Sequence, residues 1–537
     1  MRIEHIGDSR TVTTRLIQCF RIANSCGRSF LFYTTFLTLS TDGLRASLYK
    51  EFNHLYIFNL RGNQRTQGEQ SRKEGGKIFG SGSRAPIAIS ILVKDGSNKH
   101  EIFYHDIGDY LSRKQKLKLI ESANDTQGLT WDKIQPDANN DWINQRDPNY
   151  QRYAPLISLN NQTGIFYDKL VGIQSARDTW VTGFSKEKTL SNVKRMINNY
   201  NYEVKRVQGG DVKTGDDLNN DVSKIKWTSE LKKDALKENG LNYNASNAVR
   251  FLYRPFTRKW IYFDKHLVHR PGKFMQKMVA NDAFISTSGK GINKDFSAIA
   301  TNQIIDYNCM AGGSQNYPKI EKTEGLMGNF ISNINQTIKM AGKTADEVFA
   351  YVYAVLNSRD YQLRYVNDLK KDLPRIPVLK EFSRYARIGQ ELIDLHINYE
   401  MVEPYRKVKI VVKNKPSYKV TKMRFAKKRN SETGKLENDR STIIFNDSVT
   451  VSNIPDKAYQ YIVNGRSAIE WIMDQYQVKH DKKSGITDDP NDYSDDPKYI
   501  FNLLLRIINV SVQTVDLINQ LPKFEVDESY YKENNEK

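Results

Sequence analysis

Between Arg250 and Lys277, eight basic residues and seven aromatics interleave with a single acid, Asp264. Basic side chains grip phosphate oxygens, and aromatic faces stack on unpaired bases or pack a hairpin, so this composition suits nucleic-acid binding. The aromatics read first as the core of a β-hairpin. Arg250, Arg254, Arg258, Lys259, Arg270 and Lys273, with Trp260 among them, read as DNA contacts. A second tract, Arg406 to Arg429, holds eleven basic residues and no acid. In Lys407-Val-Lys-Ile the two-residue period of a strand puts the lysines on one face. Lys407, Lys409 and Lys413 would then lie along a phosphate backbone. The same pattern equally fits an exposed edge strand guarded by lysines against aggregation.

Motifs for catalysis fail on inspection. Ala341-Gly-Lys-Thr has the tail of a phosphate-binding loop, but Thr337 stands where its first glycine belongs. Phe79-Gly-Ser-Gly does not sit between a strand and a helix start, and Asp147-Pro-Asn-Tyr lacks the second proline of an amino-methyltransferase tetrad. His266 and His269 have metal-like spacing without a third ligand nearby. No metal site and no catalytic residue is expected.

The elements that must position these residues need more than one core. The chain has 537 residues, a hydrophobic share of 39%, and 81 Lys+Arg against 62 Asp+Glu for a net charge of +19. Such a length suggests two or three domains, and the charge predicts a polyanionic partner. Three cysteines frame neither a disulfide scaffold nor a four-ligand zinc site. Phe30–Leu39, about ten residues with threonines inside, suits a buried strand rather than a bilayer span. A cytoplasmic protein without a membrane partner is expected. Helix Asp42–Phe52 between strands Phe30–Leu39 and His54–Leu60, with a further strand at Ile87–Val93, predicts a largely parallel sheet covered on both faces. Asn198–Asn247 reads as a surface excursion with short helices. Val348, Phe349, Val352, Leu356 and Leu363 predict one helix over Ala345–Val366.

From about Ser40 onward the chain resembles the distal part of type ISP restriction–modification enzymes. The resemblance rests on Leu55-Tyr-Ile-Phe-Asn-Leu-Arg-Gly-Asn-Gln-Arg, Ser71-Arg-Lys-Glu-Gly-Gly-Lys-Ile-Phe and Ala85-Pro-Ile-Ala-Ile. It continues through His105-Asp-Ile-Gly-Asp-Tyr-Leu, Trp142-Ile-Asn-Gln-Arg, Tyr253-Arg-Pro-Phe, Leu373-Pro-Arg-Ile-Pro and Gly465-Arg-Ser-Ala-Ile-Glu-Trp. It implies an α/β fold: the distal half of a Rossmann-like methyltransferase sheet followed by a larger α+β specificity domain. Phe79 would be the aromatic that stacks on a flipped adenine, with Arg61, Arg65, Arg72 and Lys73 lining the DNA-facing loop. The family's Phe-x-Gly-x-Gly cofactor turn and Asn-Pro-Pro-Tyr tetrad occur nowhere in the chain. S-adenosylmethionine is therefore expected only if another chain supplies the missing half.

The resulting expectation is a partial methyltransferase-like domain with connector over 1–155, a DNA-recognition domain over 156–405, and basic strands with C-terminal helices completing it over 406–537. Sequence-specific binding of double-stranded DNA is the leading function, truncated and without methyl transfer on its own. One half of a split adenine-N6 methyltransferase is the alternative, partnered by a chain carrying the methyltransferase, translocase and nuclease parts. A non-specific single-strand-binding protein is the third.

Overall fold

The computed structural model describes residues 28–32, 37, 41–66, 68–79, 84–123, 126–158, 163–273, 282–292, 294–322, 330–335, 342–413, 415–431 and 434–535. The polar N-terminal segment, Thr337, most of Phe79-Gly-Ser-Gly, and Phe274 and Lys277 of the first basic tract lie outside these residues. The chain divides into one unit of residues 1–150, 290–295 and 365–372, and a second of 151–289, 296–364 and 373–537.

In the first unit β1 (Arg28–Phe32), β2 (His54–Arg61), β3 (Ile87–Val93), β4 (Glu101–Asp106) and β5 (Asp132–Ile134) form one sheet in the order β1-β3-β2-β4-β5. Helices α1 (Asp42–Glu51), α2 (Gly68–Glu74) and α3 (Arg113–Ala123) connect them. Strand β2 is apolar from Leu55 to Phe58 and again at Leu60 because both its faces are covered. Leu55 and Ile57 join Leu48, Phe52 and Trp142 in one layer, while Phe58 and Leu60 join Ile78, Ile87 and Ile107 in the other. Burying such side chains stabilises the unit by ~1.5–3 kcal/mol each.

The sheet is not largely parallel. Only β2 and β4 run parallel, whereas β1–β3, β2–β3 and β4–β5 are antiparallel. Two-sided burial dictates an apolar strand but leaves its direction to the connections. The expected strand Phe30–Leu39 also divides: β1 ends at Phe32, and Leu37 is helical and buried with Leu48 and Phe52. The buried Asp141 carboxylate holds Arg45 (2.5 Å), Lys371 (2.8 Å) and Arg146 (3.1 Å). Three cations on one acid leave none of its oxygens unpaired, which such burial requires.

In the second unit α4 (Lys186–Gln208) begins at Ser185, whose side chain accepts from the Lys188 amide. Val193, Met196, Ile197, Tyr200 and Val204 recur every three or four residues and pack on Trp180, Ile225 and Leu231. The segment expected to be a surface excursion thus begins inside a 23-residue helix with a core of its own. Its stripe is one apolar residue in three or four among Asn and Lys, so average polarity hides it.

Strands β6 (Ala248–Arg254) and β7 (Thr257–Tyr262) form a hairpin, flanked by Ile304–Ile305 on β6 and Thr182–Gly183 on β7. Helix α5 (Ala345–Asn357) starts at a capping box of Thr344 and Glu347 and stops at Ser358, whose ψ of 126° is extended. The helix expected to continue to Val366 breaks there, so Leu363 is 63% exposed rather than on the buried face. Helix α6 (Phe382–Ile397) crosses α5 at Gly389, where a Cβ would strike the Ala350 carbonyl. Strands β8 (Lys409–Val412), β9 (Arg424–Arg429), β10 (Leu436–Ile444) and β11 (Val449–Ser452) form a sheet in the order β8-β11-β10-β9. Helix α7 (Tyr499–Asn519) is apolar enough by composition to cross a bilayer, yet Leu503, Leu504, Ile507 and Ile508 are fully buried inside this unit. A single core runs from Leu170 and Phe251 through Tyr399 to Ile443 and Ile508, without a break near residue 405.

His396 on α6 gives this core a pH dependence. Its Nδ1 meets the Tyr353 hydroxyl at 2.5 Å, its Nε2 meets Thr514 Oγ1 at 2.8 Å, and its ring stacks on Tyr461. Burial holds its pKa down to about 3 from 6.5. The unfolded chain therefore binds a proton that the folded one refuses between these values, and stability falls as pH drops through that window. From about pH 7 to about pH 5 this group alone removes about 2 kcal/mol. Urea unfolding at the two pH values should show that loss in the wild type and a shallower one in His396→Phe.

Candidate nucleic-acid interface

The β6–β7 hairpin gathers Arg250, Arg254, Arg258, Lys259 and Trp260, and most of their charge is met from within the protein. Arg254 pairs with Asp306 (2.7 Å) and lies over the Tyr253 ring. Arg258 pairs with Glu400 (2.8 Å), donates to the Ile397 carbonyl (2.6 Å) and lies over Tyr399. Lys259, 5% exposed, pairs with Asp488 (2.6 Å) between the Phe184 and Tyr253 rings. Burial lifts the Asp306 carboxyl to about 6 against the pull of Arg254, so at neutral pH this pair is ionised. Phe251, Phe256 and Tyr262 fill the core. Arg250 is different: its guanidinium lies 4.3 Å from the Trp260 ring centre and 4.1 Å from that of Tyr493, beside a cavity of about 240 Å³ shared with Gln303 and Ser494.

Downstream, the Arg270 backbone bridges to Gln174 and its side chain is exposed. Lys273 meets Asp168 at 2.9 Å. Buried Arg177 shapes this segment, donating to the Leu267 and His266 carbonyls, to the Lys226 carbonyl (3.2 Å) and to Thr228 Oγ1 (2.9 Å). His266 and His269 face Asp234 and Glu230. Among the described residues no cluster of His, Cys, Asp or Glu could hold a metal ion.

The second tract is open. All of β8 is exposed at the sheet edge, and Lys407, Lys409 and Lys413 have no carboxylate partner among the described residues. The β9–β10 hairpin stands at the opposite edge. Sequence reasoning placed a basic strand before Asn430 but missed β10, because Leu436-Glu-Asn-Asp-Arg has no apolar alternation to announce it.

In the first unit, buried Lys116 donates to the Leu60 (2.9 Å) and Glu74 (2.6 Å) carbonyls and so ties the loop after β2 to α3. Arg61 adopts φ +54° and pairs with Asp106 (2.6 Å) and Asp109. Gly75 and Gly76 lie so close to Leu111 and Arg113 that neither has room for a Cβ. Arg65 and Arg72 are exposed and Lys73 is half-buried. Beyond this anchored loop Phe79 is 51% exposed, an unusual placement for a phenylalanine.

Comparison with solved structures gives extensive likeness. A nuclease-deletion mutant of the Type ISP restriction–modification enzyme LlaGI, in complex with a DNA substrate mimic, is 46% identical with a TM-score of 0.82, over 93% of this chain and 47% of that one. The ATP-dependent Type ISP enzyme LlaBIII bound to DNA is 35% identical at TM-score 0.82, over 95% of this chain and 34% of that one. DrdV, in a complex with DNA, shares the fold at 24% identity and TM-score 0.79, over 97% of this chain and 53% of that one. This chain thus spans about half or less of each. No curated protein matches. Residues 164–503 match the model of the Type ISP C-terminal specificity domain, and the chain belongs to that family, as a Type ISP C-terminal part.

Proposed function

We propose that the second unit reads a short sequence in double-stranded DNA as the target-recognition part of a Type ISP restriction–modification enzyme, acting in the cytoplasm. The family match over 164–503 carries this reading, and the open lysines in and beside β8, Lys407, Lys409 and Lys413, supply the phosphate contacts it needs. The specificity domain then comprises 156–405, completed by 406–537. Arg270, Lys273, Lys407, Lys409 and Lys413 grip the backbone. Arg250 and Trp260 present a stacked pair beside an open cavity, while Arg254, Arg258 and Lys259 position the hairpin through their internal ion pairs. Selection from a randomised duplex pool tests the reading. The selected duplex should bind at least about a thousandfold more tightly than a scrambled one. Equal binding to all duplexes removes specificity, and tighter binding to single strands favours the non-specific alternative.

A second reading is favoured by the exposure of Phe79. The antiparallel β3 between β1 and β2 would belong to the distal half of a Rossmann-like methyltransferase sheet, with Phe79 stacking on a flipped adenine and Arg61, Arg65, Arg72 and Lys73 facing the DNA. S-adenosylmethionine would be bound, and methyl transfer performed, only with the missing half supplied by another chain. Labelled methyl incorporation into host DNA that needs a co-purifying chain and drops in Phe79→Ala supports this reading; incorporation unaffected by Phe79→Ala refutes it.

A further inference from the structure

The β9–β10 hairpin leaves the core after its first two pairs. Arg424 pairs with Ile444 and Phe425 with Ile443; the register then slips, and Ala426 pairs with Asp439, Lys427 with Asn438, Lys428 with Glu437 and Arg429 with Leu436. The slip is a built joint. Ile443 is fully buried, Arg440 lies 4.5 Å from the Tyr459 ring centre and 3.5 Å from Glu470, and Asp439 accepts from the Ser441 amide and hydroxyl. Beyond it Lys427, Lys428, Arg429, Leu436, Glu437 and Asn438 are all exposed, Leu436 to 65%.

The two faces of this outer ribbon differ. Strand alternation puts Lys427, Arg429, Leu436 and Asn438 on one face and Ala426, Lys428, Glu437 and Asp439 on the other. Both carboxylates lie on the second face, where Lys428 approaches Asp439 at 3.9 Å. Among the described strand residues the first face carries two cations, an amide and the apolar Leu436, and no acid. Lys427 Nζ there meets Asn438 Oδ1 at 2.7 Å, and Arg429 is steadied at the tip by the Gly434 carbonyl. Solubility alone asks only for charge and gives no reason to segregate the acids.

We propose that this ribbon enters the major groove of the target duplex and that its acid-free face reads base edges, with Arg429 and Asn438 as specificity-determining residues. A two-stranded ribbon fits the major groove; arginine pairs with guanine O6 and N7, asparagine with adenine N6 and N7, and an apolar side chain meets the thymine methyl. The inference rests on the duplex-recognition reading above and names the element that performs it.

The test uses the full chain with Arg429→Ala and Asn438→Ala, and with Lys428→Ala/Glu437→Ala on the opposite face. Each protein is taken through selection from a randomised duplex pool, then titrated with the selected and a scrambled duplex. All four positions are exposed, and circular dichroism melting verifies the fold. Arg429→Ala and Asn438→Ala should each lose preference at one or two base positions, by roughly 5- to 150-fold, while binding the scrambled duplex within about threefold of wild type. The opposite-face variant should keep the wild-type preference. Unchanged preference in both single variants overturns the proposal, and so does equal weakening on selected and scrambled duplexes, which marks phosphate contact alone. A wild-type chain that prefers no duplex sinks the duplex-recognition reading itself, an outcome visible before any variant is compared.

Discussion

Raising monovalent salt from about 50 to about 200 mM will weaken duplex binding about a thousandfold or more, the loss expected when six or more phosphates are neutralised. The residues that set this slope are not the densest basic run of the sequence. Arg254, Arg258 and Lys259 already face Asp306, Glu400 and Asp488 at 2.6–2.8 Å, and a phosphate would have to displace those carboxylates. Lys407, Lys409 and Lys413 have no such partner among the described residues, and the Arg270 side chain is exposed. Replacing the three lysines of the β8 segment with glutamine should flatten the slope of log affinity against log salt by about 2.7, near 0.9 per phosphate. Arg258→Gln should leave that slope unchanged. Anisotropy titrations at several salt concentrations measure both. A triple variant with the wild-type slope would show that these lysines serve only to guard a strand edge.

Arg177→Met should destabilise the second unit by about 4 kcal/mol, an effect of the size seen when a buried charged hydrogen-bonding hub is removed. Arg177 is fully buried, and burial pulls its pKa down to about 10. It remains charged at neutral pH because its fork is filled: three carbonyls, of Lys226, His266 and Leu267, and the Thr228 hydroxyl accept from it. Methionine matches the stem but returns nothing to those acceptors. The segment they hold continues to Arg270, whose backbone pairs with Gln174, so duplex affinity should fall as well. Thermal melting together with a titration on the selected duplex reads both effects. A melting temperature equal to wild type would mean that water replaces the fork without cost.

Periodicity and resemblance reveal much of the local structure. The apolar run of β3, predicted at Ile87–Val93, is found at those residues. Helix α1, predicted at Asp42–Phe52, is found at Asp42–Glu51. Sheet direction in the first unit was not legible: covered strands look alike whether parallel or antiparallel. Nor was the core of α4, whose stripe is thinned by Asn and Lys, or the break at Ser358 that turns Leu363 outward.

The sequence by itself determined the family, the net charge of +19 and the presence of two basic tracts. Only the tertiary structure decided which of those charges remain available. The partners of Arg254, Arg258 and Lys259 lie 52, 142 and 229 residues away along the chain, beyond the reach of any local pattern. Coulomb attraction depends on separation in space, not along the chain, and a carboxylate at about 3 Å in a desolvated setting outweighs every charge that the neighbouring sequence displays.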